Sequence, residues 1–402
     1  MNVALLDWLN LLVRWIHIIA GIMWVGNSFL FVWMDSALTA ASKPREGDVM
    51  GEIWLVHSGG FYEVVKRRSL RPQDLPPSPL YTFMWQSYTT WITGALLVGI
   101  VYWAGGSLYL VDRSVANLTT MQAIAASAAV LFGGVAAYEI IWTSLEKQPR
   151  VALGFSLALL VGAAFGLTHL FAGRAAYIHF GAMLGTIMTA NVANHIVPGQ
   201  NKMLAATRAG TPVDVSLGAR AKARSIHNHY LTLPVVFTMI SNHFAMTYGH
   251  AQNAIVLLLI VTFGMALKYA MNHRFGGSRL VHITGALALI AVVTLTARKA
   301  PAGSSDAYSG RPAVSFAEAQ AIIDRRCITC HSHHPTNPSF PEAPSGVMFD
   351  DPERIHAMAP RILERAVITK TMPLGNLTGI TEEERATLGA WIAQGAHIDA
   401  AH

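Results

Sequence analysis

The sequence predicts an all-α fold: a bundle of eight membrane-spanning helices followed by a small soluble helical domain. Three observations carry this. Of the 402 residues, 52% are hydrophobic and only 13% charged, against about 25% charged in an ordinary soluble domain. The charge is uneven, since long stretches before residue 298 are almost uncharged while the tail from about 311 is polar. Between them lies "RKAPAGSSDAYSGRP", rich in Pro, Gly and Ser as a flexible tether is. The expected organisation is a membrane domain over 1–297, a linker over 298–313 and a soluble domain over 314–402.

A spanning helix needs about 20 mainly apolar residues. Eight segments meet that length, near 5–34, 81–104, 119–144, 151–172, 175–197, 226–247, 251–271 and 279–297. The N-terminus has no basic region ahead of a short apolar run, so no cleavable signal peptide is expected. Alternate connections collect the cations: Lys43, Arg45, Lys66, Arg67, Arg68 and Arg71, then Lys147 and Arg150, then Lys202, Arg208, Arg220, Lys222 and Arg224, then Arg274 and Arg279. The opposite connections hold only Arg113 and Arg174. Positive charge stays on the cytoplasmic side, so both termini are expected outside, which in a bacterium is the periplasm. The net charge of +6 fits this asymmetry, and no basic run with interleaved aromatics suggests nucleic acid.

Both cysteines lie in "CITCH", as Cys327 and Cys330, with His331 next. Three chemistries compete for C-x-x-C-H. A thioredoxin-like dithiol belongs to an α/β domain, and no such alternation surrounds it. A closed zinc site needs four ligands, and only His333 and His334 are near. Haem c attachment uses both thiols as thioethers and the histidine as proximal iron ligand. "FAEAQAIIDRRCITCH" reads as an amphipathic helix entering the motif, with Phe316, Ile322 and Ile323 inward. "TKTMPLGNLTGIT" places Met372 before Pro373 in a loop, and "EEERATLGAWIAQGA" is a closing helix with Leu388, Trp391 and Ile392 on one face. This order resembles a class I cytochrome c domain over 314–398. The resemblance implies covalent haem c at Cys327 and Cys330, with His331 and Met372 as iron ligands; Met348 is the rival methionine. A haem would also staple a small domain.

Ionisable residues inside spans are functional candidates by default. The first segment carries Arg14, His17, Gly21 and Ser28 on one stripe, and Gly21 would leave room beside the His17 ring. A hydrogen bond between helices suits His17 equally well. The third segment holds Tyr138 and Glu139, the latter a candidate proton acceptor or a snorkelling carboxylate. The fifth holds His179 near one end and Asn191, Asn194 and His195 near the other, with Asn191 and His195 four apart on one face. In the sixth, His229 and His243 are 14 apart, about 21 Å along a helix, a spacing that suits two b-type haems or two interfacial histidines. His17, His179 and His243 are therefore the candidates for a haem b.

The stretches "RWIHIIAGIMWVGNSF", "FMWQSYTTWITG", "TANVANHIVPGQNKM" and "RSIHNHYLTLPVVFTMISNH" resemble the membrane domain of the bacterial membrane-bound cytochrome c urate oxidases, or urate hydroxylases. The resemblance implies oxidation of urate with water to 5-hydroxyisourate. Two electrons would pass through the haem c to a respiratory cytochrome c or terminal oxidase, with no hydrogen peroxide formed. The setting would be the inner membrane. Urate is a planar anion rich in donors and acceptors. The matching groups are Asn191, Asn194, Gln200, Arg224, His227 and Asn228, with His195 and His229 as the catalytic bases. The other reading is a non-catalytic electron-transfer subunit serving a separate dehydrogenase, since no G-x-G-x-x-G follows a strand.

Overall fold

The structure, a computed structural model, describes residues 3–76, 80–104, 108–274, 276–297 and 311–398. Most of the expected linker, 298–310, lies outside the described residues.

The described chain is mostly helical. Among the described residues ten α-helices precede the linker: α1 Val3–Ala37, α2 Met84–Leu97, α3 Thr120–Ser144, α4 Pro149–Leu170, α5 Gly173–Asn191, α6 Val197–Arg208, α7 Val215–Ile240, α8 Ala245–Tyr248, α9 Asn253–Asn272 and α10 Arg279–Thr296. Five of them are long and apolar enough to cross a membrane: α1 from Leu5, α3, α4, α9 and α10. The other three expected spans are helical, but they differ for physical reasons. α2 is 14 residues long and widens into a π-turn, Val98–Trp103. α5 is followed by a second π-turn, Val192–Ile196. α7 starts at Val215, so its first turns carry Arg220, Lys222 and Arg224.

α5 lies at the centre and packs against α2, α3, α4 and α7. Its Tyr177, Phe180, Met183, Leu184 and Ile187 are at most 2% exposed, so it is covered on all sides by protein. At Gly181 a β-carbon would stand 2.7 Å from Thr238 Cβ, so this glycine sets the approach of α5 to α7. By contrast α1 packs chiefly on α2 and exposes Trp8, Trp15, Ile22 and Trp33.

The fold is not wholly α. The connection after α1 forms an antiparallel hairpin, β1 Val49–His57 and β2 Gly60–Arg67. Ser58 and Gly59 form its two-residue turn, both with positive φ, the geometry that matches strand twist. Its base is tied by Glu52, which accepts from the Ser42 amide and from Arg45.

A second core, including Ile322, Ile323, Phe349, Ile355, Leu388 and Trp391, lies within the C-terminal part. It is built from α11 Phe316–Arg326, α12 Pro352–Ile362 and α13 Glu382–Ala393. Capping boxes start α11 (Ser315 with Glu318) and α13 (Thr381 with Glu384).

Candidate functional site

Three elements converge at the arginine-rich end of the bundle. α3 brings Tyr138, Glu139 and Trp142; α5 and its π-turn bring Asn191 and His195; α7 brings Arg224, His227 and Asn228. On α7 the last three fall at i, i+3 and i+4, one face of a helix.

Their hydrogen bonds form two connected groups. His195 Nε2 lies 3.0 and 2.9 Å from the two Glu139 carboxylate oxygens. A carboxylate only accepts, so Nε2 carries a proton and a neutral His195 keeps its lone pair on Nδ1. Arg224 Nη2 donates to the same carboxylate at 3.4 Å, and its guanidinium lies 5.2 Å from the Tyr138 ring centroid. In the second group Asn191 Nδ2 donates to Tyr138 Oη at 3.0 Å and to Asn228 Oδ1 at 2.9 Å. Tyr138 Oη lies 2.7 Å from His227 Nδ1. Asn191 occupies one acceptor site of the phenol oxygen, and the Tyr138–His227 bond carries a single proton, on Oη or on Nδ1 according to the tautomer. Trp142 packs on the other side, 4.0 Å between ring centroids. Asn228 Nδ2 is anchored to the Met188 carbonyl at 2.9 Å.

Two buried atoms in this network lack a protein partner: Asn191 Oδ1 and Arg224 Nη1. Leaving a buried polar atom unpaired costs about 1–3 kcal/mol, more for a charged group. One is an acceptor and the other a cationic donor. The two call for opposite partners, an acceptor or anion for Arg224 Nη1 and a donor for Asn191 Oδ1.

The expected residues separate here. Asn191, His195, Arg224 and Asn228 come together. Asn194 is exposed, because the π-turn takes His195 inward in its place. His229 lies elsewhere on α7, with Ser225 as its hydrogen-bond partner at 3.3 Å and Lys268 nearby. Lys268, which the sequence reading missed, is 1% exposed with its ammonium 3.4 Å from the Phe29 ring centroid. Glu139, Tyr138 and His227 carry more of the site than their places in the sequence suggested.

The three candidates for haem b do not form a ligand pair. His179 is fully buried, donates from Nδ1 to Ala175 O at 2.8 Å and meets Ser127 Oγ at Nε2 at 2.7 Å. Tyr102 and Phe171 close over its ring at 5.1 and 5.2 Å. His17 Nδ1 bonds Thr90 O at 2.9 Å and Thr93 Oγ1 at 3.1 Å, joining α1 to α2. A β-carbon on Gly21 would stand 4.0 Å from Thr90 Cγ2, an ordinary contact, so α2 runs beside this glycine. α7 ends at Ile240 and His243 falls on an exposed 3-10 turn, so His229 and His243 do not share a helix. These residues do not fit a haem held by two histidines.

In the C-terminal part, Cys327 and Cys330 are free and half-buried at the end of α11. His331 donates from Nδ1 to Val347 O at 3.0 Å, leaving Nε2 for a ligand bond. Met372 is held by its backbone: its amide donates to Arg365 O at 3.0 Å, and its carbonyl accepts from Arg385 at 2.8 Å. Met348 Sδ is instead 3.7 Å from the Arg354 guanidinium. Burial pushes the Cys327 thiol up to about 12, which does not suit a reactive dithiol. The donor set of two thiols, an oriented imidazole and a pinned methionine fits covalent haem c.

A family model described as urate oxidase N-terminal matches residues 3–298. The chain belongs to that family. No curated protein and no solved structure matches the chain. The match runs through α10 and includes every residue of the Arg224–Asn191 network. Family membership supports an oxidoreductase acting on urate at the level of the reaction class.

Proposed function

We propose that the chain is a membrane urate oxidase that converts urate and water to 5-hydroxyisourate, releasing two protons and two electrons. The electrons would leave through a C-terminal haem c to a respiratory cytochrome c or terminal oxidase in the periplasm. The single observation that carries this reading is the pair of unpaired buried groups, Arg224 Nη1 and Asn191 Oδ1, within the urate oxidase family region.

Arg224 holds the urate anion through Nη1, and Asn191 Oδ1 accepts from a urate N–H. The Tyr138–Asn228 hydrogen bonds fix the Asn191 amide so that its oxygen, not its nitrogen, faces the ligand. His195, with Nε2 tied to Glu139, takes a proton from urate or from the attacking water at Nδ1. Glu139 stabilises the imidazolium that results. A His–carboxylate pair of this kind contributes about 10²–10⁴-fold to a rate. When bound, a haem c supplies one-electron acceptance; Cys327, Cys330, His331 and Met372 would hold it.

The test is the purified full-length chain given urate anaerobically in labelled water. Reduction of the haem, with the label in 5-hydroxyisourate, is the expected result. His195→Ala should lower turnover by about 10²-fold or more, while His229→Ala should leave it near wild type. Equal turnover in His195→Ala and wild type would remove the assignment.

One observation favours the alternative of an electron-transfer subunit for a separate dehydrogenase. Glu139 lies 19 residues beyond Thr120 on α3, about 28 Å along the axis at 1.5 Å per residue. The C-terminal part contacts the bundle just before the Thr120 end, at Arg113. Haem reduction by urate only after a second protein is added would select that reading.

A further inference from the structure

Among the described residues, segment 369–376 of the C-terminal domain touches the bundle at two places. Gly375 has φ +54, and a β-carbon there would stand 2.5 Å from the Val111 carbonyl oxygen. Its own carbonyl accepts from the Arg113 amide at 3.5 Å. On the other flank a β-carbon on Gly249 would stand 2.9 Å from both Thr369 Cβ and Thr371 Cγ2. The contacts at Gly375 and at Thr369 and Thr371 bracket Met372. Arg385, 4% exposed, donates to the carbonyls of Met372 and Ala366 and has Asp112 of the bundle within electrostatic reach. Beneath this contact, Tyr248 immediately precedes Gly249 and packs on buried Tyr177, ring centroids 6.4 Å apart.

We propose that segment 369–376 is the docking face of the C-terminal domain, that loop 108–113 and Gly249 are its receptor, and that electrons enter the domain by its Met372 edge. The electron-entry part rests on the proposed function. The physical argument is closeness. Two glycines, one on each body, remove the side chains that would hold the surfaces apart. The residue between the contacts is the one that fits the haem's distal ligand. The ligand-bearing loop is seated on the bundle that holds the proposed site, about 28 Å along α3 from Glu139. Urate loses two electrons per turnover; a haem c held by Cys327, Cys330, His331 and Met372 would accept them one at a time, with reoxidation by the downstream cytochrome c or terminal oxidase after each. Gly249, Gly375, Asp112 and Arg385 act as positioning residues, since none of them meets urate.

The experiment uses the full-length, haem-loaded chain in lipid nanodiscs with two separate variants, Gly249→Leu and Asp112→Lys. The first inserts a side chain between the two surfaces at an ordinary φ of −89, with its β-carbon also pressing on the Ala245 carbonyl oxygen at 2.8 Å. The second places a cation against Arg385. Hydrogen exchange over 369–376 should rise about tenfold in each variant. Haem reduction by urate should slow about tenfold, whereas reduction by dithionite and the optical signature of methionine ligation should match wild type. Unchanged exchange over 369–376 in both variants overturns the docking. Raised exchange with an unchanged rate of urate-driven reduction overturns the entry route. If urate fails to reduce the wild-type haem, the proposed function falls, and exchange still decides whether the segment is docked.

Discussion

Asn191→Leu separates the binding role of the network from its structural role. The side chain is fully buried, and leucine is close to it in volume. The substitution removes two hydrogen bonds, to Tyr138 Oη and Asn228 Oδ1, each worth about 1 kcal/mol net. It strands Asn228 Oδ1, but it also deletes the Asn191 oxygen that already had no partner. Those two terms, about 1–3 kcal/mol each, oppose one another, so the ligand-free chain should lose about 2 kcal/mol. Bound urate loses an acceptor and keeps a buried N–H unpaired, a loss of about 1–3 kcal/mol. At 1.36 kcal/mol per tenfold, kcat/KM should fall between about 5- and 150-fold. The assay is the decay of urate absorbance with purified protein, beside calorimetric urate binding. Asn194→Leu, on the exposed neighbour, is the control and should change neither. If Asn191→Leu keeps kcat/KM within twofold of wild type, urate does not pair with this oxygen and the site assignment is wrong.

Gly181→Ala should destabilise the bundle by about 1–3 kcal/mol through overpacking against Thr238. It should also weaken urate binding, because it separates α5 from α7; a thermal melt and a binding isotherm check both. In haem-free full-length protein, burial holds the Cys327 thiol near 12, so iodoacetamide at pH 8 should leave Cys327 unmodified until the chain unfolds, as peptide mapping would report. The hydrogen bonds from Ser42, with Arg45, hold the Glu52 carboxyl down to about 2 from 4.5. A depressed carboxylate contributes stability that is complete above its unfolded value and is lost as the pH falls through its folded one. Resistance of the hairpin to pepsin should therefore persist at pH 5 and fade towards pH 2, and Glu52→Gln should flatten that dependence.

Hydrophobic length made the helical bundle legible, because burial in lipid or protein demands apolar residues at nearly every position of α3, α4, α9 and α10. It misjudged the segments that carry chemistry. α5 is surrounded by other helices and can hold His179, Asn191 and Thr189, and α7 extends beyond its apolar half with charged turns. The hairpin has a local signal: Ser58–Gly59 between strands rich in Val, Ile, Tyr and Trp marks a turn, masked in the hydropathy pattern by the spans on either side. Half of the site was readable as well. Arg224, His227 and Asn228 share a face by spacing, and His229, two residues past His227, must point away from it. The partnership of Glu139 with His195 was not, since it joins residues 56 apart in sequence through packing that no local pattern encodes. The helices flanking C-x-x-C-H were legible as well, because apolar spacing and capping boxes are local signals.

The π-turn at Val192–Ile196 has a consequence for how such a chain can vary. A π-turn holds one residue more than the α-helix around it, so His195 reaches Glu139 only because the helix carries that insertion. Deleting a single residue there would leave the membrane-length segments, the glycine contacts and the haem motif intact. It would nevertheless rotate His195 away from Glu139 and bring a different side chain to the carboxylate. Among related chains, a one-residue gap at this turn would mark a protein that keeps its helices and its C-x-x-C-H motif but presents a different side chain to Glu139, a change invisible to any count of matching residues.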